Sequence, residues 1–171
     1  NVNYMEKIFT NCEALLFLDL NAFNTYRITS MESMFENCTS LTSIILSDKF
    51  STSNVNSMKS MFYNCQSLKY LYLNYINFNT YYVTDMSYMF YNCKQLITLE
   101  INNDNFMSNN LRYTNKMFYY CESLDSLYFN PNFNVYNVID MSYMFYHCQK
   151  LSYLNLEYFQ TNNVNNMEGL F

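Results

Sequence analysis

Cys12, Cys38, Cys65, Cys93, Cys121 and Cys148 are separated by 26, 27, 28, 28 and 27 residues, and each sits at the centre of one recurring phrase. Three residues before them stand Phe9, Phe35, Phe62, Phe90, Phe118 and Phe145. Three residues after them stand Leu15, Leu41, Leu68, Leu96, Leu124 and Leu151. A second aromatic closes each unit, at Phe23, Phe50, Phe78, Phe106, Phe133 and Phe159. Self-similarity at such a period marks a solenoid, in which one repeat cannot bury its own apolar face and the core comes from stacking on neighbours. A single solenoid across residues 1–171 is expected, with repeats starting near 2, 28, 55, 83, 111 and 138 and a partial one from 164. The first residues (Val2, Met5, Phe9) and the last (Val164, Met167, Phe171) fall inside repeats, and neither set is polar as a terminal cap would be. The expectation is a segment of a longer array.

Within a unit two periods succeed each other. Val83, Met86, Met89, Phe90, Cys93 and Leu96 recur every three or four positions, the spacing of one buried helical face. Ser30, Ser57, Asp85, Asp140 and Asn166 precede the first Met position as N-cap residues would. Asn11, Asn37, Asn64 and Asn92 precede the Cys as left-handed stops, while Tyr120 and His147 hold that place in the last two full copies and predict less clean ends. These signals predict a helix of about two turns per repeat, over 86–91 in the fourth copy. The following Leu-x-x-Leu-x-Leu segment, as at Leu68, Leu71 and Leu73, alternates at strand period. Leu71 and Leu73 are expected inside, and Tyr70, Tyr72 and Asn74 outside. The predicted class is an α/β repeat solenoid of leucine-rich-repeat type. Each repeat of 26–28 residues carries one short helix and one short strand, and the strands join into one parallel sheet.

With one Gly and one Pro in 171 residues, the turns must come from elsewhere, and Asn is the residue that tolerates left-handed backbone and bonds its own main chain. The segment 102–116 is the least regular, with Leu111 and Thr114 replacing the usual Val and Met, and is where a kink or local contact is expected.

Chemistry is sparse. A net charge of −5 and a pI near 4.7 argue against a nucleic-acid partner. No run approaches the ~18 apolar residues of a transmembrane segment. The six cysteines form a column on the apolar face, without a C-x-x-C pair, and read as buried free thiols rather than disulfides or zinc ligands. Eleven of the twelve Met residues hold core positions, Met107 being the outlier expected at the surface. His147 stands at a turn position with no Ser, Cys or carboxylate set around it, so no catalysis and no cofactor are expected. Asn37-Cys38-Thr39 is a glycosylation sequon whose central residue is expected to be buried. The strand positions expected to face outward are Phe17 and Asp19, Ser43 and Ile45, Tyr70 and Tyr72, Thr98 and Glu100, Ser126 and Tyr128, and Tyr153 and Asn155. Among them Phe17, Ile45, Tyr70, Tyr72, Glu100, Tyr128 and Tyr153 form a candidate binding face for a protein or glycan. The alternative is that aromatic ladders there stabilise strand pairing. A second functional reading is a structural spacer that packs against neighbouring subunits through its ends.

The phrase running from Phe78 to Ile101, Phe-Asn-Thr-x-x-Val-Thr-Asp-Met-Ser-x-Met-Phe-x-x-Cys-x-x-Leu-x-x-Leu-x-Ile, resembles the repeat of BspA-like leucine-rich-repeat surface proteins. These include the repeats of mycoplasma lipoproteins and of many protist surface proteins. The resemblance covers the whole chain, with Asn standing mostly where such proteins carry Gly before the Cys. It implies a cell-surface or secreted location and a role in adhesion or partner recognition. It supplies no ligand and no functional residue, because the shared positions are core positions.

Overall fold

The computed structural model describes residues 2–47, 49–73, 77–101 and 104–171. The expected outward position Asn74 lies outside them. Each repeat contributes one three-residue strand: β1 (Phe17–Asp19), β2 (Ser43–Ile45), β3 (Tyr70–Tyr72), β4 (Thr98–Glu100), β5 (Ser126–Tyr128) and β6 (Tyr153–Asn155). The strands pair in parallel as β1–β2, β3–β4 and β5–β6, so the expected single sheet is resolved into three pairs. The ladder that runs unbroken lies elsewhere. One-residue parallel bridges join Tyr4 to Ser30, Ser57, Asp85, Tyr113, Asp140 and Asn166 in succession. The irregular segment takes its place in this ladder, with Arg112 N–H donating to the Thr84 carbonyl at 2.9 Å and Ile139 N–H to the Arg112 carbonyl at 2.9 Å.

The expected helix does not form: among the described residues there is no helix, and the α/β class is corrected to a solenoid of short strands and turns. The hydrogen bonds give the reason. In the second repeat the N–H groups of Met31, Ser33, Phe35 and Asn37 donate to the carbonyls of Ser57, Lys59, Met61 and Tyr63 of the next rung, at 2.8–3.1 Å. The intervening N–H groups of Met34, Glu36 and Cys38 close turns onto the carbonyls three residues back, Met31, Ser33 and Phe35. Ser33 and Asn37 are left-handed, at φ 56° and 59°, which places positive φ at the third residue of alternate turns and breaks any helix. The same pair recurs as Ser60 and Asn64, Tyr88 and Asn92, Lys116 and Tyr120, and Tyr143 and His147. Tyr120 (φ 59°) and His147 (φ 60°) therefore make the same backbone turn as Asn, not a frayed end.

A chain of turns with a four-residue period leaves apolar side chains at i, i+3, i+4 and i+7, the spacing that also describes a helix face. The two conformations differ in where half the N–H groups go. Sending them across the rungs holds the turn side at hydrogen-bonding distance, ~4.8 Å between chains, whereas packed helices need ~8–10 Å. The expected caps keep their local role without a helix: Asp85 Oδ1 accepts from Ser87 N–H at 2.7 Å and Asp140 Oδ1 from Ser142 N–H at 2.9 Å.

The core is built of columns. Phe9, Phe35, Phe62, Phe90, Phe118, Phe145 and Phe171 stack with centroids 5.2–5.8 Å apart. Cys38, Cys65, Cys93 and Cys121 are buried, and Cys12 and Cys148 half-buried, all as free thiols. Each from Cys38 onward donates its thiol to the Phe carbonyl of the preceding rung at 3.1–3.2 Å. Met107 is half-buried rather than exposed, its N–H donating to Thr80 Oγ1 at 2.7 Å, and the exposed methionine is Met167.

Candidate functional site

Strand alternation delivers the candidate face directly. Leu71, Leu99 and Leu127 at the strand centres are buried, while the flanking positions reach solvent. Phe17, Ile45, Tyr70, Tyr72, Tyr128 and Tyr153 are 40–54% exposed, and Glu100 is exposed. Parallel register sets them in two columns. Phe17 lies beside Ser43, and Asp19 beside Ile45. Tyr70 lies beside Thr98 and Tyr72 beside Glu100, while Ser126 lies beside Tyr153 and Tyr128 beside Asn155. In each of these outward pairs a large side chain adjoins a small or polar one. Among the described residues, Phe17, Tyr70, Tyr72, Tyr128 and Tyr153 make no ring–ring contact. Their exposed ring faces are therefore not consumed by a ladder.

The aromatic ladder is on the opposite, turn side. Tyr63, Tyr91, Tyr119 and Tyr146 stack in parallel at 4.6, 4.9 and 5.1 Å. Burial by their neighbours, then nearby charge (Glu36 for Tyr63), raises the pKa of Tyr63 above the ordinary tyrosine value. Lys116 sits 5.5, 5.8 and 5.6 Å from the ring centres of Tyr88, Tyr119 and Tyr143, so its charge is held by aromatic faces. Sequence reasoning passed over this plate. Its signal was the Phe-Tyr dipeptide repeated at 62–63, 90–91, 118–119 and 145–146.

Beside it runs an amide ladder: Asn37 Nδ2 donates to Asn11 Oδ1 at 2.9 Å, Asn64 to Asn37 at 2.8 Å and Asn92 to Asn64 at 2.6 Å. The sequon residue Asn37 is thus engaged on both sides. Tyr120 and His147 continue the column by ring stacking at 4.6 Å, which occupies the imidazole face. Burial pushes the thiols up, Cys38 to about 11 and Cys93 and Cys148 to about 12, so they are neutral donors rather than nucleophiles. Among the described residues no group of three His, Cys, Asp or Glu side chains is arranged to hold a metal ion, and no helix is long and apolar enough to cross a membrane.

These rungs carry a family signature. The model of a family described as "Mycoplasma protein of unknown function, DUF285" matches residues 3–130 and 104–171. The chain belongs to the DUF285 family. Among solved structures, this family member is similar to a leucine-rich repeat protein of T. pallidum, TpLRR, at a TM-score of 0.53 and 20% identity over 91% of the chain. The chain spans 63% of that protein's length. The likeness shows the fold: a leucine-rich-repeat-like solenoid, here with turns on the side where a helix was expected. No curated protein matches the chain.

Proposed function

We propose that the chain is a non-catalytic recognition module, displayed at the cell surface or secreted, that binds a protein or glycan through its strand face. Phe17, Ile45, Tyr70, Tyr72, Glu100, Tyr128 and Tyr153 form the contact surface. The observation that carries this reading is the absence of stacking among the exposed rings of that face, against the continuous tyrosine stack on the turn side. Exposed rigid aromatics on a fixed backbone gain most when a partner covers them. The ladders behind supply a stiff support, so little order has to be created on binding. The leucine-rich-repeat-like fold supports a role in macromolecular recognition.

The test compares the wild-type chain with a Tyr70→Ser, Tyr72→Ser, Tyr128→Ser variant on arrays of extracellular proteins and glycans. Loss of the wild-type signals by tenfold or more, with an unchanged melting temperature, supports the reading. Full retention of those signals overturns it.

A further inference from the structure

A different edge of the solenoid carries a polar furrow that neither the strand face nor the turn side uses. Two concavities of about 360 and 310 Å³ adjoin there and share Arg112 and Asn137 in their walls. Asn109, Asn110 and Thr84 complete one; Asn162, Asn163, Asn165 and Ile139 complete the other. The amides are preset by the rungs. Asn110 Nδ2 donates to the Tyr81 carbonyl at 2.6 Å, Asn137 Nδ2 to the Asn109 carbonyl at 2.7 Å and Asn163 Nδ2 to the Tyr136 carbonyl at 2.8 Å. Each side chain is clamped through one N–H, and its Oδ1 has no protein partner among the described residues. Arg112 is exposed, and among the described residues its guanidinium has neither a carboxylate nor another protein partner. The lining contains no Asp or Glu, which makes the furrow locally cationic on a chain of net charge −5.

We propose that this furrow binds a sugar bearing a carboxylate, with Arg112 pairing the carboxylate and Asn110, Asn137 and Asn163 taking the ring hydroxyls. A guanidinium matches a carboxylate through two parallel hydrogen bonds, which fixes orientation as well as charge. Amide oxygens repeated at rung spacing accept from a ligand rich in hydroxyl donors. A peptide is disfavoured because docking of peptides relies on apolar anchor pockets or an added strand, and Ile139 is the one aliphatic side chain in the lining.

The experiment is NMR titration of isotope-labelled chain with a glucuronic-acid disaccharide, with its carboxyl-reduced counterpart, and with a blocked glutamyl dipeptide. The expected result is a saturable shift of the Asn110, Asn137 and Asn163 side-chain amides with the acidic sugar. Arg112→Gln should weaken that affinity tenfold or more, the loss expected when a charge-assisted hydrogen bond is removed, while leaving the melting temperature unchanged. The carboxyl-reduced sugar should bind wild type no better than the acidic sugar binds Arg112→Gln. The Tyr70→Ser, Tyr72→Ser, Tyr128→Ser variant should bind the acidic sugar as wild type does, which separates this site from the strand face. No saturable shift at millimolar sugar, equal affinity of wild type and Arg112→Gln, equal binding of the dipeptide, or loss of sugar binding in the strand-face variant would each overturn the proposal.

Discussion

The thiol of Cys93 donates a hydrogen bond to the carbonyl of Phe62, 31 residues earlier, at 3.2 Å. The bond closes the space between two stacked phenylalanine rungs, and it recurs for each cysteine from Cys38 to Cys148. The cysteine is thus a small apolar side chain whose one donor adds a second hydrogen bond to a Phe carbonyl that already accepts the N–H of its own rung's cysteine. Thiol reagents should accordingly modify the half-buried Cys12 and Cys148 first, and should reach Cys65, Cys93 and Cys121 only at the rate of global unfolding. Mass spectrometry of a timed alkylation series checks this; early labelling of Cys93 would contradict it.

Alkaline pH should destabilise the fold. Burial raises Cys38 to about 11 and Cys93 to about 12 from an ordinary 9.0, and Cys65 and Cys121 move the same way. Above pH 9 the unfolded chain loses these protons while the folded chain keeps them, so the unfolded state binds fewer and stability falls as pH rises. The contribution is whole below pH 9 and is lost between 9 and about 12, at a limiting slope of about 1.4 kcal/mol per pH unit for each fully buried thiol. Urea unfolding at pH 7, 9 and 10 should show the decline, and Cys93→Ser, whose hydroxyl does not ionise, should make it shallower.

Asn64 performs two jobs that substitution can separate. Its backbone is left-handed at φ 62°, and its side chain donates to Asn37 and accepts from Asn92. Asn64→Gly should keep the turn and lose the ladder; Asn64→Ala should lose both. The alanine variant should be less stable than the glycine variant by about 1–2 kcal/mol, the cost of left-handed backbone for a residue with Cβ. Equal stabilities in denaturant titrations would show that the turn tolerates Cβ without strain.

The two sets of tyrosines should differ in stability. Tyr91 stacks on both Tyr63 and Tyr119, at 4.6 and 4.9 Å, whereas Tyr70 and Tyr72 stack on no ring among the described residues. Tyr91→Ser should cost about 1 kcal/mol or more through lost ring contacts, and the strand-face changes should remain within about 0.5 kcal/mol. Calorimetric melting of single variants decides between them.

Val135 interrupts a hydroxyl column. Thr25 Oγ1 donates to the Ser51 carbonyl at 2.7 Å, Thr52 to Asn79 at 2.7 Å and Thr80 to Met107 at 2.6 Å, with Ser108 bonded to the Asn134 carbonyl in the same way. Val135→Thr would place a hydroxyl opposite the Gln160 carbonyl, the equivalent acceptor. It should stabilise the chain by about 0.5–1 kcal/mol. A lower denaturation midpoint would mean that the new hydroxyl is buried without its acceptor.

The residues themselves determined the period, the strand positions and the left-handed places before the cysteines. Leu71 can alternate with Tyr70 and Tyr72 only on an extended chain, and Asn is suited to positive φ whatever surrounds it. The face of Phe17, Tyr70 and Tyr153 is legible for the same reason, because period two assigns a side to every strand residue. The turn segment was not legible. Met31, Met34, Phe35 and Cys38 have one spacing in a helix and in consecutive turns, and the choice lay with N–H groups that bond within the repeat or across to the next. A partner 26–28 residues away leaves no mark in local pattern. The same holds for the tyrosine stack at 63, 91, 119 and 146 and for the furrow around Arg112, which exist only because rungs superpose equivalent positions at hydrogen-bonding distance. Local chemistry selected the conformations each residue could take, and the stacking of one rung on another decided which of them was kept.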